Sequence, residues 1–394
     1  MKIRSLSLTN FRLFKRLEIE FDDHLNLFIG DNSEGKTTIL EAIHFLSLLT
    51  SPLATNDREV VNFLCLEEAV PVARIKATIE KKGKVHRLEM RLILNPSGND
   101  SFRMRKELRI DGVQRRLYDS AGFFNSVLFM PQMTRIIESG PDERRRYLDQ
   151  VLSQSQPGYM RSLGNYIKGL SRRNSLLKQL AEKGGDMDQL NFWDELLADE
   201  GSQIMYERIR ALRELNILAN EHHRRLTSGN ESLKINYKPS LAFSSHTILK
   251  ESTIVEDTAE IKAQFLSQLL AKRREEVARG ITTIGPHRDD LQFMVNGVDV
   301  HVYGSRGQIR TVVMAIKLAE KDLFRERWGE LPVFLLDETL AELDKKRRSD
   351  LLESLKNGGQ AILTTADLDL FDKDFIRHCE VWRVVQGGIT KAVF

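Results

Sequence analysis

Residues 30–37, GDNSEGKT, combine side chains and a spacing that suit phosphate binding. They match the pattern G-x-x-x-x-G-K-[ST] and lie between the apolar run LNLFIG and the apolar segment KTTILEAIHFLSLL, which predict a buried strand and a buried helix. In such a loop, backbone N–H groups and the positive end of the following helix surround phosphate oxygens. We therefore expect Lys36 to reach the β- and γ-phosphates of a nucleotide and Thr37 to bind Mg²⁺.

A second stretch, VFLLDE at residues 333–338, supplies the carboxylates that this chemistry also needs. Its four apolar residues predict a buried strand, and Asp337 follows at the carboxyl end, where it is expected to face the Mg²⁺. Glu338 comes directly after it and is placed to polarise the attacking water. An acidic residue at that position favours those phosphate-loop proteins that hydrolyse ATP. ATP and Mg²⁺ are the expected cofactors.

Three further stretches carry residues that are expected near this site. Gln132, in MPQ, lies at the boundary between the predicted head and the charged helices that follow it. We expect it to contact the metal and to take part in catalysis. Glu342 and Asp344, in AELDKKRR, are expected near a dimer seam. Arg12, in LTNFRLF, is expected to lie against a phosphate.

Composition and charge limit the class of protein. Hydrophobic residues make up 41% of the 394 residues and charged residues 29%, and no apolar run approaches the roughly 18 residues of a membrane span. The N-terminus has the period of a strand and lacks the apolar block of a signal peptide, so we expect a cytoplasmic protein without a membrane partner. The net charge is only +3, but basic residues cluster in the sequence, which suits a partner rich in phosphate. The densest cluster is Arg103, Arg105, Lys106, Arg109, Arg115 and Arg116.

The order of predicted elements indicates an α/β head that both ends of the chain build. Short strand-like runs fill residues 72–117, long charged helices follow residue 131, and strand patterns return after residue 285 with a hairpin at Asn296-Gly297. We therefore predict an ATPase head of mixed sheets with flanking helices at residues 1–132 and 281–394, and an inserted helical lobe at residues 133–280.

With these parts in this order, the chain resembles the ATP-binding-cassette ATPases, in the branch that contains the SMC and RecF proteins. Within that branch it is most similar to the RecF family. The stretches that carry the resemblance cover nearly the whole chain, and GPHRDDL at residues 285–291 is the most specific, because ordinary transporter ATPases lack it. The others include LTNFRLF, GDNSEGKTTILEAI, TNDREVVNF, SGPDERRRYLDQVL, FWDELLADEG and SRGQIRT.

The resemblance implies that ATP closes a homodimer, in which a signature loop of one chain binds the γ-phosphate of the ATP held by the other. Here that loop would be formed by Ser305, Arg306, Gly307 and Gln308. The closed dimer would clamp DNA at single-strand/double-strand junctions and hydrolyse ATP slowly, with stimulation by DNA. It would assist the loading of RecA together with RecO and RecR in recombinational gap repair. The ATP contacts would be Arg12, Gly30, Asp31, Asn32, Ser33, Glu34, Gly35, Lys36, Thr37 and Thr38, with Thr37, Asp337 and Gln132 on the metal and Glu338, Lys36 and Gln132 in catalysis.

Two other classes of protein share parts of this pattern. One is the energy subunit of a membrane transporter, which usually carries a switch histidine after the strand AILTT; this chain has Thr365 and Asp367 there. The other is a nuclease of the OLD type, with Asp367 and Asp369 as metal ligands. Such enzymes carry a separate catalytic domain, for which no part of this chain is left over.

Overall fold

The computed structural model describes residues 1–96, 102–243, 257–356 and 358–392, apart from the side chains of Glu67 and Glu342. The chain forms two compact units. Unit 1 contains residues 1–134 and 313–394, and unit 2 contains residues 135–312. Within the described residues, no helix is both long and apolar enough to cross a membrane.

Unit 1 is built mainly of strands. Its strands are β1 (Lys2–Phe11), β2 (Phe14–Glu20), β3 (Leu25–Ile29), β4 (Val72–Lys81), β5 (Lys84–Pro96), β6 (Phe102–Ile110), β7 (Val113–Arg115), β8 (Ser126–Phe129), β12 (Val333–Asp337), β13 (Ala361–Thr365), β14 (Cys379–Val385) and β15 (Gly388–Ala392). Its helices are α1 (Lys36–Leu48), α2 (Leu117–Ser120), α10 (Lys345–Lys356) and α11 (Lys373–Arg377), with 3₁₀ turns at Asp57–Val60, Phe63–Glu67, Pro131–Thr134, Thr339–Glu342 and Leu368–Leu370.

One six-stranded sheet of unit 1 positions the predicted phosphate loop. Its order is β15-β14-β3-β13-β12-β8, and every neighbouring pair is parallel except β14 with the edge strand β15. Strands β3, β12 and β13 are buried along their whole length, as their continuous apolar runs predict. Because ligands of parallel sheets bind beyond the carboxyl ends of the strands, the ends of β3 and β12 define the candidate site.

The second sheet of unit 1 is antiparallel, with the order β2-β1-β4-β5-β6-β7. Its strands alternate buried and accessible residues, as in β4, where Ala73, Ile75, Ala77 and Ile79 are buried. This apolar face joins one core with α1 and with the buried strands of the parallel sheet. The antiparallel region predicted for residues 72–117 is therefore present, and β1 and β2 extend it.

Unit 2 is mainly helical. It contains α3 (Arg135–Glu138), α4 (Pro141–Ser155), α5 (Tyr159–Lys183), α6 (Asn191–Leu226), α7 (Thr258–Arg279) and α8 (Val300–Tyr303), a 3₁₀ turn at Met187–Leu190, and the strands β9 (Leu233–Lys238), β10 (Asp290–Val295) and β11 (Val298–Asp299). Helix α9 (Arg306–Trp328) begins in this unit, and the boundary between the units falls within it.

The boundary at which the inserted lobe ends and the head resumes differs from the expected one. Residues 281–312, which we assigned to the head, lie in unit 2. The reason is β9, a strand that was not predicted from the sequence: β10 pairs with β9 along its whole length, and β11 pairs with β10 at the Asn296-Gly297 hairpin. The alternation in LKINYK, where Leu233, Ile235 and Tyr237 are buried, is the signal for this strand.

Candidate nucleotide site

The loop at residues 30–37 follows β3 and leads directly into α1. Gly35 stands before the first residue of α1 with a φ of 111°, and a Cβ atom there would lie 2.7 Å from Cζ of Phe14. A Cβ atom on Gly30 would collide with the carbonyl oxygen of Val384. No side chain caps the N-terminus of α1, so its first N–H groups remain available to an anion. The close contacts at Gly30 and Gly35 leave no room for a Cβ atom, so this path of the loop needs glycine at both positions.

Lys36 is folded back into the loop. Its Nζ donates hydrogen bonds to the carbonyl oxygens of Gly30, at 2.7 Å, and Asp31, at 2.9 Å. It also forms an ion pair with Oε1 of Glu338 at 3.0 Å, although the Lys36 side chain is only 3% exposed. The loop thus holds a buried ammonium group at the end of β3, beside the carboxylate that follows β12.

Asp337, at the end of β12, accepts hydrogen bonds from two elements that are far apart in the sequence, α1 and β13. The hydroxyl of Thr37 donates to the Asp337 carboxylate, 2.8 Å from Oδ2, and the hydroxyl of Thr364 donates to Oδ1 at 2.7 Å. Burial raises the pKa of Asp337, and the hydrogen bonds from Thr364 and Thr37 oppose that rise. Within the described residues this carboxylate makes no ion pair. A buried carboxylate beside a hydroxyl is an oxygen-donor set that suits Mg²⁺.

A cavity of about 280 Å³ lies over this cluster. Gln132 lines it from the 3₁₀ turn that follows β8, and Leu13 lines it from the β1–β2 turn. The full lining is Leu13, Asn32, Ser33, Gly35, Lys36, Thr37, Thr38, Pro131, Gln132, Asp337 and Glu338. The structure therefore brings Gln132, Asp337 and Glu338 together with the phosphate loop.

A second cavity, of about 450 Å³, lies on another side of the same loop. It contains four carboxylates, from Asp31, Glu34, Asp367 and Asp369, and the guanidinium of Arg383. In the described part of the chain none of these five groups forms an ion pair. Thr365, at the end of β13, instead bonds locally: its hydroxyl donates to the carbonyl oxygen of Asp367 at 2.8 Å.

Arg12 is held by a carboxylate of α1. It forms a two-pronged ion pair with the buried Glu41 of α1, with NH2 2.6 Å from Oε1 and Nε 2.9 Å from Oε2. Its NH1 donates to the carbonyl oxygen of Glu59 at 3.1 Å. Arg12 does not line the 280 Å³ cavity. In this structure, then, its partner is Glu41.

The signature-like loop opens α9 with a reciprocal cap. Ser305 N donates to Oε1 of Gln308 at 3.1 Å, and Gln308 N donates to Oγ of Ser305 at 3.2 Å. Nε2 of Gln308 also donates to Oε1 of Glu231 at 2.9 Å. Ser305, Arg306 and Gly307 are exposed. The loop is thus fixed internally and open to solvent.

The two residues predicted near a dimer seam follow β12. Asp344 caps α10, because its Oδ1 accepts a hydrogen bond from Arg347 N at 3.0 Å and its Oδ2 lies 3.2 Å from NH1 of Arg347. The side chain of Glu342 lies outside the described residues. Asp344 therefore has a local role at the start of a helix.

Three residues of this region were not among those predicted from the sequence: Thr364, Glu41 and Leu13. Thr364 stands opposite Asp337 in the register of β12 and β13, a relation that only strand pairing reveals. Glu41 is the single acidic residue in the segment ILEAIHFL, where His44 is the one other polar residue, and an isolated acidic residue in such a segment indicates a buried partner.

Comparisons with known proteins identify the family of this chain. The family model described as the AAA ATPase domain matches residues 1–238. The DNA replication and repair protein RecF of Synechococcus sp. (strain JA-2-3B'a(2-13)) is 38% identical over 390 residues, which cover 98% of this chain and 97% of the relative.

Two solved structures are also similar over nearly their whole length. The recombination mediator protein RecF-ATPrS in the RecFOR pathway is 29% identical, with a TM-score of 0.85 and coverage of 100% of this chain and 98% of that one. The RecF-ATP form is 29% identical, with a TM-score of 0.84 and coverage of 99% and 97%. These similarities show that the fold is that of the cassette-type ATPases and that the chain belongs to the RecF family of DNA replication and repair proteins.

Proposed function

We propose that this chain is an ATP-dependent DNA clamp that closes as a homodimer on ATP and opens after hydrolysis. The observation that carries the proposal is the cluster of Thr37, Asp337, Lys36 and Glu338 at the ends of β3 and β12. Such a cluster combines an anion-binding loop, oxygen ligands and a carboxylate beside them, which are the parts that phosphoryl transfer to water requires.

Each group at the site has a proposed task. Lys36 would exchange its contacts with the carbonyl oxygens of Gly30 and Asp31 for phosphate oxygens. Thr37, Asp337 and Gln132 would hold Mg²⁺, which neutralises charge that develops on the phosphates. Glu338, released from Lys36 when phosphate arrives, would orient water and accept its proton. The remaining loop residues, with Thr38, would surround the triphosphate with N–H and hydroxyl donors.

The second half of the complete site would come from another copy of the chain. Ser305 and Gly307 are exposed and already fixed by the cap with Gln308, so binding γ-phosphate would require little ordering. The guanidinium of Arg306 is exposed and makes no hydrogen bond or ion pair to a described residue. It would add positive charge toward the bound triphosphate. ATP then favours the closed dimer because only that state offers these contacts.

DNA would be held mainly through its phosphates, because the chain offers clustered arginines and lysines rather than an identified base-reading element. The relatives act in DNA replication and repair, and the solved ones are recombination mediators of the RecFOR pathway. By this likeness we assign the chain to gap repair, where it would mark junctions of single- and double-stranded DNA. RecO and RecR would be its partners in loading RecA.

Sedimentation with ATP and a gapped duplex tests the clamp. Wild-type chain should dimerise and retain DNA, Lys36→Arg and Ser305→Arg should stay monomeric, and Glu338→Gln should accumulate as the DNA-bound dimer. Ser171→Arg, at an exposed position of α5, is the matched control for added bulk and charge. If Ser305→Arg dimerises and holds DNA like wild type, the clamp proposal is wrong.

Phosphate release with and without DNA tests the enzymatic part. We expect slow turnover that DNA stimulates and that Lys36→Arg abolishes. Cleavage of DNA that survives Lys36→Ala would instead show a nuclease and would contradict the proposal.

A further inference from the structure

Two apolar side chains are presented to solvent directly before the signature-like loop. Val302 is 61% exposed and Tyr303 is 76% exposed, and both belong to the four-residue helix α8. Tyr303 is the most exposed of the large hydrophobic residues in the described part of the chain. Large exposed aromatic groups are concentrated at interfaces, where their rigid rings bury much area at a small entropic cost.

The helix that carries them is firmly anchored. Asp299 caps it by accepting a hydrogen bond from His301 N at 2.9 Å, and Nε2 of Gln292 donates to the other carboxylate oxygen of Asp299 at 2.6 Å. Nδ1 of His301 lies 2.7 Å from the carbonyl oxygen of Ile137, and Val300 is buried. Val302 and Tyr303 are therefore not fraying residues but are held outward by a fixed support.

Gly304 ties this support to the loop. A Cβ atom there would lie 2.5 Å from the carbonyl oxygen of Val300, so only glycine lets the chain turn this closely from α8 to Ser305. The positions of Tyr303 and of Ser305 are thus set by the same turn. Whatever Ser305 contacts, Val302, Tyr303 and Arg306 must face the surface around it.

The surface around the candidate nucleotide site complements Val302, Tyr303 and Arg306 in both polarity and charge. Leu13 is 42% exposed and lines the 280 Å³ cavity beside Lys36 and Thr37, which leaves an apolar group at the rim of the candidate site. The 450 Å³ cavity on another side of the same loop is lined by four carboxylates and by only one guanidinium, that of Arg383, so negative charge is in excess there. An apolar pair next to an exposed guanidinium complements this arrangement of a leucine near a cavity with an excess of carboxylates.

We infer that Val302, Tyr303 and Arg306 form a docking surface for a second copy of this chain, and that this surface meets the partner's nucleotide-binding face, with Tyr303 against Leu13. The inference rests on the proposed head-to-tail dimer and specifies its contact surface. In a twofold dimer the contact occurs twice, because each chain offers both surfaces.

Dimer affinity with ATP, measured by sedimentation velocity in the Glu338→Gln chain, tests this surface. Tyr303→Ala and Arg306→Glu should each weaken dimerisation at least tenfold and leave the affinity of a single chain for ATP unchanged, since both residues lie outside that chain's own cavity. The exposed residues Tyr118 and Arg172 supply the matched controls Tyr118→Ala and Arg172→Glu. Dimerisation of Tyr303→Ala within twofold of the parent would overturn the inference.

Cross-linking tests the pairing with Leu13. In a Cys379→Ser background, one chain carries Tyr303→Cys and a second, differently tagged chain carries Leu13→Cys. A short bismaleimide should join the two chains when ATP is present and should fail when both chains also carry Lys36→Ala. If ATP dimerises the chains and no such link forms, the proposed contact is wrong.

The outcomes separate this inference from the function on which it rests. If the wild-type chain remains monomeric with ATP, both the proposed dimer and the proposed docking surface are refuted. If Ser305→Arg blocks dimerisation and Tyr303→Ala does not, only the docking surface falls. Loss of DNA binding in Tyr303→Ala with an unchanged dimer would assign the surface to DNA and would also overturn the inference.

Discussion

At the scale of single residues, Lys36, the proposed phosphate ligand, forms an ion pair with Glu338, the proposed proton acceptor. Glu338→Gln keeps the size of the side chain and its ability to accept a hydrogen bond, but it removes the proton acceptor. We expect ATP hydrolysis to fall by about 10²–10⁴-fold, the usual contribution of a general base, with ATP affinity little changed. Phosphate release and equilibrium ATP binding measure the two effects. Glu353→Gln, at an exposed position of α10, should change neither, and an equal loss of binding and hydrolysis in Glu338→Gln would contradict the assignment.

Arg12 offers a second test at this scale, because its observed partner is Glu41 and its predicted partner is a phosphate. Among the described residues, Arg12→Ala leaves the buried Glu41 carboxylate with only the hydroxyl of Ser51, so the free energy of unfolding should fall by about 1–3 kcal/mol. Glu41→Gln should recover part of that loss when it is combined with Arg12→Ala. Urea denaturation measures stability, and ATP titration is done on the same variants.

The ATP titration distinguishes the two roles of Arg12. If Arg12 acts only through Glu41, the double variant should bind ATP nearly as well as Glu41→Gln alone. A further large loss of ATP affinity in the double variant would show that Arg12 also contacts the nucleotide.

At the scale of elements, α1 joins the phosphate loop to the core and carries a buried histidine. Burial, followed by the charge of Lys317, lowers the pKa of His44 to about 3. The unfolded chain binds a proton at this histidine near pH 6.5 and the folded chain does not, so stability is present above pH 6.5 and is lost as the pH falls toward 3. The slope from this one group approaches about 1.4 kcal/mol per pH unit.

His44→Gln should therefore flatten the acid side of the stability profile. Urea denaturation between pH 7 and pH 5, compared with wild type and with the exposed-site control His24→Gln, measures the difference in slope. His287 has a pKa lowered to about 4, mainly by burial, and contributes equally to all three proteins. Parallel profiles for wild type and His44→Gln would refute the prediction.

At the scale of the whole molecule, a head-to-tail dimer would build each complete site from two chains. Lys36→Ala removes one half of a site, and Ser305→Arg removes the other, so each variant alone should be inactive. A mixed dimer would retain one intact site, formed by Lys36 of one chain and Ser305 of its partner. Because neither variant should dimerise with itself and each mixed dimer has one intact site of two, mixing should restore ATPase activity to at most about half of the wild-type value. Phosphate release after mixing checks this, and a mixture as inactive as its components would refute the shared site.

Much of the fold was predictable because its signals are local. The run VFLLD predicts a buried strand from five adjacent residues, and the Asn296-Gly297 pair predicts its hairpin from two. The limit of the head was not predictable in the same way, since it depends on β9 pairing with β10 more than 50 residues later along the chain. A strand without its partner looks like any short alternating segment within a helical region.

The sequence by itself determined the chemistry of the candidate site: a glycine-rich loop with Lys36 and Thr37, and a buried strand that ends in Asp337. These motifs are short, and their residue types follow directly from what phosphate and Mg²⁺ require. Only the tertiary structure decided how these motifs meet, because Thr37 and Asp337 are separated by 300 residues. They lie side by side because β13 lies between β3 and β12 in the parallel sheet and brings the ends of these strands together. The tertiary structure also decided that Arg12 pairs with Glu41 and that Tyr303 is exposed on an anchored helix. Burial and pairing depend on how elements pack and not on which residues are adjacent in the sequence.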